Sequence, residues 1–188
     1  MFGMDLLAGT LLPAKYTMFG THKEQGYQPT SYGPVCMQAL SAMHAMIAAA
    51  ARTGQNVVVD HLMFVDPPVL QDCVWRIADV PVLFVNLKPS RDVLNARVRG
   101  RRIDFIPPPI REAMDTAGPE IVAAFAEQLG DAGPWFYEHA YANDIYDLEL
   151  DSSAMSPDEV CARIEARLSE GPGTAFARLR ERHPKPFD

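Results

Sequence analysis

Two hydrophobic rhythms divide this chain. Three short apolar runs each close on a polar residue: Asn56-Val57-Val58-Val59-Asp60, Val80-Pro81-Val82-Leu83-Phe84-Val85-Asn86-Leu87, and Tyr146-Asp147-Leu148-Glu149-Leu150-Asp151. The first two read as buried parallel strands, because β-branched and aromatic residues follow one another almost without polar interruption. Pro81 is tolerable near a strand start. The third alternates, which suits a half-exposed edge. All three are expected to run parallel.

Between them the spacing changes to three and four. Pro34 to Thr53 places Val35, Ala39, Leu40, Met43, Met46, Ile47 and Ala50 on one helical stripe, with Gly54 as the C-terminal stop. Pro67 to Ala78 predicts a second helix, with Asp66 as N-cap and Pro67 at its first position. Ser90 can cap a third, running to about Arg101. Ser156-Pro157-Asp158-Glu159 is a capping box opening a fourth, through Val160, Ile164 and Leu168 to Gly171. From Gly171 a tail of about 171–188 keeps a helical pattern to about Arg182 and is expected to fray. Strands alternating with helices predict an α/β fold with a mostly parallel sheet covered on both faces.

Composition narrows the class. Of 188 residues, 48% are apolar and 22% charged, which excludes general disorder and allows one domain, 1–188. No apolar run approaches the ~18–20 residues that cross a bilayer. Asp5 stands where a secretory signal would be basic. Three cysteines, never in a C-x-x-C pair, support neither a disulfide framework nor a zinc knuckle. A reduced, cytoplasmic protein is expected, with no membrane partner. The net charge of −7 argues against a broad nucleic-acid surface. Yet six of the 17 Lys and Arg fall together, as Lys88, Arg91, Arg97, Arg99, Arg101 and Arg102. Such a run is either a solvated helix face or a local anion site.

Chemistry in an open parallel sheet gathers at the carboxyl ends of its strands. Asp60 closes a valine strand as a Walker B carboxylate does, holding Mg²⁺, although many such carboxylates merely cap the next turn. His61 beside it is either a polar contact in the same crevice or a plain strand-end residue, and the second fits the bare sequence better. Arg97, Arg99, Arg101 and Arg102 follow the second strand through a helix, where planar guanidinium donors suit the oxygens of a transferring phosphoryl group. That order favours the anion site. There is no G-x-S-x-G, G-x-G-x-x-G or H-E-x-x-H pattern, and the five histidines are scattered. The phosphate cradle G-x-x-x-x-G-K-[ST] does not occur either.

Taken in order, several motifs resemble one family. They are Phe2-Gly3-Met4-Asp5-Leu6-Leu7 with Pro13, Tyr32-Gly33-Pro34 before an alanine-rich helix, and Gly54 with Val57-Val58-Val59-Asp60. Val82-Leu83-Phe84-Val85, the Arg97 to Arg102 cluster, His139, and Tyr146 to Ser153 with the Ser-Pro-Asp-Glu helix follow. This series, from about Phe2 to Leu168, is similar to the chloramphenicol phosphotransferase-like family. The resemblance implies a three-layer fold of the P-loop kinase type and transfer of the ATP γ-phosphoryl group to a hydroxyl of a small-molecule alcohol. It further implies a role in antibiotic resistance. By resemblance Asp5 is the general base. Arg97, Arg101 and Arg102 are catalytic, and with Arg99 they bind the nucleotide in a lid of about 91–111. Asp60 is at the Mg²⁺ end of its strand, and ATP and Mg²⁺ are the cofactors.

Two departures qualify these expectations. The family carries a strand and a glycine-rich phosphate loop before the phe-gly-x-asp motif, whereas this sequence opens at that motif, so its fold is expected to be truncated at the N-terminus. The 188-residue polypeptide is then expected to transfer little phosphate, and to expose strand edges that favour a homo-oligomer. The stretch from Ile103 to Tyr146, with Pro107-Pro108-Pro109 and Trp135-Phe136-Tyr137, is longer than usual and leaves the acceptor open. A nucleoside- or nucleotide-type kinase and a non-catalytic degenerate kinase fold are the alternatives. The first reading expects Asp5, Asp60 and at least two of the four arginines in one cleft.

Overall fold

A computed structural model describes residues 2–3, 34–100 and 137–186. Its elements, in chain order, are β1 (Phe2–Gly3), α1 (Pro34–Arg52), β2 (Val59–Asp60), α2 (Val69–Arg76), β3 (Val85–Leu87), α3 (Arg91–Gly100), β4 (Leu148–Leu150), α4 (Pro157–Ser169) and α5 (Ala175–Arg182). Two parallel pairs form. β1 lies beside β2 with Phe2 opposite Val59 and Gly3 opposite Asp60. β3 lies beside β4 with Val85 opposite Leu148 and Leu87 opposite Leu150. The architecture is therefore α/β with parallel pairing, as the alternation of patterns predicts.

The strands are shorter than their apolar runs. Only 59–60, 85–87 and 148–150 hold a ladder, and β2 pairs with β1 and not with β3. Nor are the first two runs buried: Val58 is 75% exposed, and of 82–87 only Asn86 is buried. Apolar composition marked these stretches as strand, but burial requires a neighbour on each face, and the described residues supply one only in part. The third run is half-exposed as its alternation predicts, with Glu149 out and Leu150 in.

Helix α1 stops where the sequence sets it. Thr53 and Gly54 donate back to the carbonyls of Ala50 and Ala51, and Gly54 has φ +83°, a left-handed conformation that glycine adopts without Cβ strain. Its buried stripe runs Leu40, Met43, His44, Ile47 and Ala48, while Met46 turns outward. Positions 40, 44, 47 and 48 share one face, and residue 46 lies on the other side.

Helix α2 begins later than predicted. Pro68, not Asp66, occupies the position before it, and no side chain caps it. The reason is local: Pro68 disfavours helical geometry at the residue before it, so Pro67 cannot open the helix. The Asp66-Pro67 bond is cis. α4 carries the full capping box, with Ser156 Oγ accepting from the Glu159 N–H and Glu159 Oε2 accepting from the Ser156 N–H at 2.7 Å.

The helical part of the tail packs against the core. α5 buries Ala175, Phe176 and Leu179 against Leu70, Cys73, Val74 and Ile77 of the α2 region. An eight-residue helix is marginal by itself, but burial of Phe176 and Leu179 at ~1.5–3 kcal/mol each holds it in place. Trp75 Nε1–H donates to the His183 carbonyl at 3.1 Å and closes the end. Asp147 fixes the start: its Oδ1 accepts from the N–H groups of Thr174 and Ala175, and its Oδ2 from that of Phe84. A second apolar cluster joins Leu40, Met43 and Ile47 of α1 to Phe64 and Val69.

Candidate functional site

Parallel pairing brings the carboxyl ends of β3 and β4 to one edge, and polar loops knit that edge together. The Lys88 N–H donates to the Leu150 carbonyl at 2.9 Å, and Tyr141 Oη–H to the Leu87 carbonyl at 3.1 Å. The Ser90 N–H donates to Ser153 Oγ at 2.6 Å, and the Ser153 N–H to Asp151 Oδ1 at 2.8 Å. Those bonds from Ser153, with the Arg97 charge, hold the Asp151 carboxyl below its ordinary value. Within the pair, Asn86 Nδ2–H reaches Glu149 Oε2 at 2.7 Å, in register across the two strands.

Arg97 lies on α3, exposed, and donates from Nη2 to the Ser152 carbonyl at 2.7 Å. Nearby Arg91 pairs with Glu138 at 2.6 Å and lies 5.4 Å from the Tyr137 ring centroid, and Lys88 lies 5.7 Å from that of Tyr141. Of the segment expected as a lid, 91–100 is ordinary helix. The side chain of Arg99, and Arg101, Arg102 and Asp5 altogether, lie outside the described residues. The shared cleft expected for Asp5, Asp60 and the arginines therefore lies outside them too. Asp60 ends β2 beside Gly3, exposed, and no protein group among the described residues pairs with its carboxylate.

Between α1, α2 and the end of β2 stands a polar chain that the sequence does not announce. His44, at 0% exposure, directs Nδ1 at Asp72 Oδ2, 2.6 Å away, and Nε2 at His61 Nε2, 2.7 Å away. The Ser41 hydroxyl donates to Asp72 Oδ1 at 2.8 Å, and Arg76 Nε–H reaches the same carboxylate at 2.9 Å. Burial alone would raise the Asp72 carboxyl. The bonds from His44 and Ser41, with Arg76 beside them, outweigh it and hold the group below its usual range. Burial, then the neighbouring His44, push His61 down to about 3. Nδ1 of His61 is shut off from solvent and meets no partner among the described residues. Cys73, beside Asp72 in the core, is pushed up to about 12 by burial and stays a thiol.

His61 is thus more than a strand-end residue. One signal for this was present: a histidine on the apolar stripe of α1, and an aspartate among the apolar residues of α2, are buried polar groups in need of partners. What the sequence lacked was the pairing across 28 and 17 residues.

Parallel strand pairs with helices between the strands and polar loops at the strand ends define an α/β protein. The model of the chloramphenicol phosphotransferase-like proteins matches residues 1–169, and the chain belongs to that family. Neither a search of curated proteins nor one of solved structures returns a match. Among the described residues no helix is long and apolar enough to cross a membrane.

Proposed function

We propose that the chain is a kinase-like phosphotransferase that moves the γ-phosphoryl group of ATP to a hydroxyl of a small-molecule alcohol. The family match over residues 1–169 carries this reading. In it both parallel pairs belong to one three-layer sheet of the P-loop kinase type, within a single domain spanning 1–188. As the acceptor oxygen bonds to the γ-phosphorus and the bond to the β-phosphate oxygen breaks, ADP leaves and Asp5 takes the hydroxyl proton.

The residues present suit the two cofactors. Asp60 has no protein partner among the described residues, which fits Mg²⁺, an ion that keeps its waters and takes one or two carboxylates with phosphate oxygens. No group of three or more His, Cys, Asp or Glu forms a metal cage among them, and this role needs none. Arg97 spends one of its five N–H donors on Ser152, leaving the rest of the fork for phosphate oxygens together with Arg99, Arg101 and Arg102. Bound Mg-ATP supplies the phosphoryl group and a cation that spreads its charge.

The test has two arms, because G-x-x-x-x-G-K-[ST] is not among these 188 residues. Calorimetry on the chain as given should show weak Mg-ATP binding. Joining a strand and that loop ahead of Phe2 should bring phosphoryl transfer, with kcat falling about 10²–10⁴-fold in Asp5→Asn. An extended chain that transfers nothing to any alcohol, or an Asp5→Asn form at full rate, refutes the reading.

A further inference from the structure

Charge does not balance at the carboxyl edge of β3 and β4. Of the acidic groups around it, Glu138 pairs with Arg91 at 2.6 Å. Glu149 accepts from Asn86 Nδ2 at 2.7 Å, and Asp151 from the Ser153 N–H at 2.8 Å. Ser153 is what chiefly holds the Asp151 carboxyl low, and the Arg97 charge adds the least to it. Lys88 and Arg97 are left without a carboxylate partner among the described residues.

Neither cation is loose. Lys88 is half-buried, and its backbone N–H donates to the Leu150 carbonyl at 2.9 Å. Its ammonium lies 5.7 Å from the Tyr141 ring centroid, and that ring is itself tied by its hydroxyl to the Leu87 carbonyl at 3.1 Å. Arg97 is anchored through Nη2 to the Ser152 carbonyl at 2.7 Å. The two anchors, Leu150 and Ser152, are two residues apart in sequence and so at most about 7 Å apart in space. Tyr141 senses both cations. Burial, then Tyr137, raise its hydroxyl, and the Arg97 charge draws it down. A lysine is seldom half-buried without an opposite charge, and the ring face offsets only part of that cost. A solvated helix face accounts for Arg91 with Glu138, but not for Lys88 over a tethered ring.

We propose that Lys88 is a phosphate-binding residue, its ammonium joining the Arg97 guanidinium on the phosphate oxygens of the nucleotide. The inference rests on the phosphotransferase reading and deepens it, since that reading gives Lys88 no part. A point charge and a planar fork, anchored within one short stretch of backbone, suit successive phosphates of one chain. Their place is the edge where parallel sheets take ligands. Tyr141 positions the ammonium and does not touch the phosphate.

Pyrophosphate without Mg²⁺ is the probe, titrated at low ionic strength into the full 188-residue chain labelled with ¹³C-lysine. The Lys88 side-chain resonance should move on binding, and ADP should displace the pyrophosphate. Lys88→Met should weaken binding about tenfold, and Lys88→Arg, which keeps the charge, should restore most of it. Arg163→Gln, at an exposed position on α4, should bind as wild type does. Four results overturn the inference: no pyrophosphate binding, a Lys88 resonance that stays still, binding undiminished in Lys88→Met, or an equal loss in Arg163→Gln. Pyrophosphate that ADP does not displace overturns the nucleotide as its source. Failure of the phosphotransferase reading shows elsewhere, in an extended chain that turns nothing over.

Discussion

Acid should loosen this fold before its carboxylates protonate, and His61 is the cause. Burial, then the adjacent His44, lower His61 from 6.5 to about 3. In the unfolded chain the ring takes a proton as pH falls through 6.5, while in the folded chain it stays neutral until about 3. Stability is therefore lost progressively across that window, because the unfolded state binds the extra proton. Each unit costs about 1.4 kcal/mol, so ~2 kcal/mol is gone by about pH 5 and ~5 kcal/mol by about pH 3. That is comparable to the whole net stability of a typical domain, roughly 5–15 kcal/mol. The ring meets His44, and behind His44 stand Asp72 and Arg76. Asp72 is depressed too, so its contribution fades only below its ordinary value of 3.8, at the acid end of the window. Urea unfolding at constant ionic strength, repeated from neutral pH down to about pH 4, reads the slope. His61→Gln keeps an amide donor toward His44 but cannot titrate, and should flatten the curve above about pH 4.5. Equal slopes in wild type and His61→Gln would refute the reasoning.

A Cβ at Gly173 would overlap the Asp147 carboxylate, so Gly173→Ala should displace it and free the N–H groups of Phe84, Thr174 and Ala175. A loss of about 2–4 kcal/mol in chemical denaturation is expected, with little added by a second change Asp147→Ala. Ser156→Ala removes the acceptor for the Glu159 N–H and should cost about 1 kcal/mol, read from the thermal midpoint. In the native chain Cys161, exposed, should react with a thiol reagent while buried Cys73 does not until urea unfolds the protein, as peptide mapping would show.

The parts of this fold legible in the sequence are those decided within about four residues. Ser156 and Glu159 bond to each other across three positions, and Gly54 ends α1 through bonds to Ala50 and Ala51. Their partners stand in the same line of text. Pro67 misled because its neighbour Pro68, rather than its own N1 preference, decides the geometry. The docking of α5 was not legible for a different reason: its helical pattern was visible, but Trp75 and His183 meet across 108 residues. Val58 shows the converse, since β-branched residues favour a strand without guaranteeing a cover, and 75% of this one is exposed. Of the candidate site, the family and the strand-end carboxylate were legible, whereas the partners of His61 lie on two helices that only packing brings together.

Arg97 sharpens what the basic segment can do. A free lid would swing its guanidinium over a bound phosphate and away again. Arg97 instead starts from a helix tied at both ends of its first turns: Ser90 N–H to Ser153 Oγ before it, and its own Nη2 to the Ser152 carbonyl. The loop after β4 thus holds the helix after β3, and Asp151 holds that loop through the Ser153 N–H. A guanidinium anchored by one N–H keeps its remaining donors oriented, which lowers the conformational entropy lost when an anion is bound. In the proposed reaction Arg97 is then a preset contact.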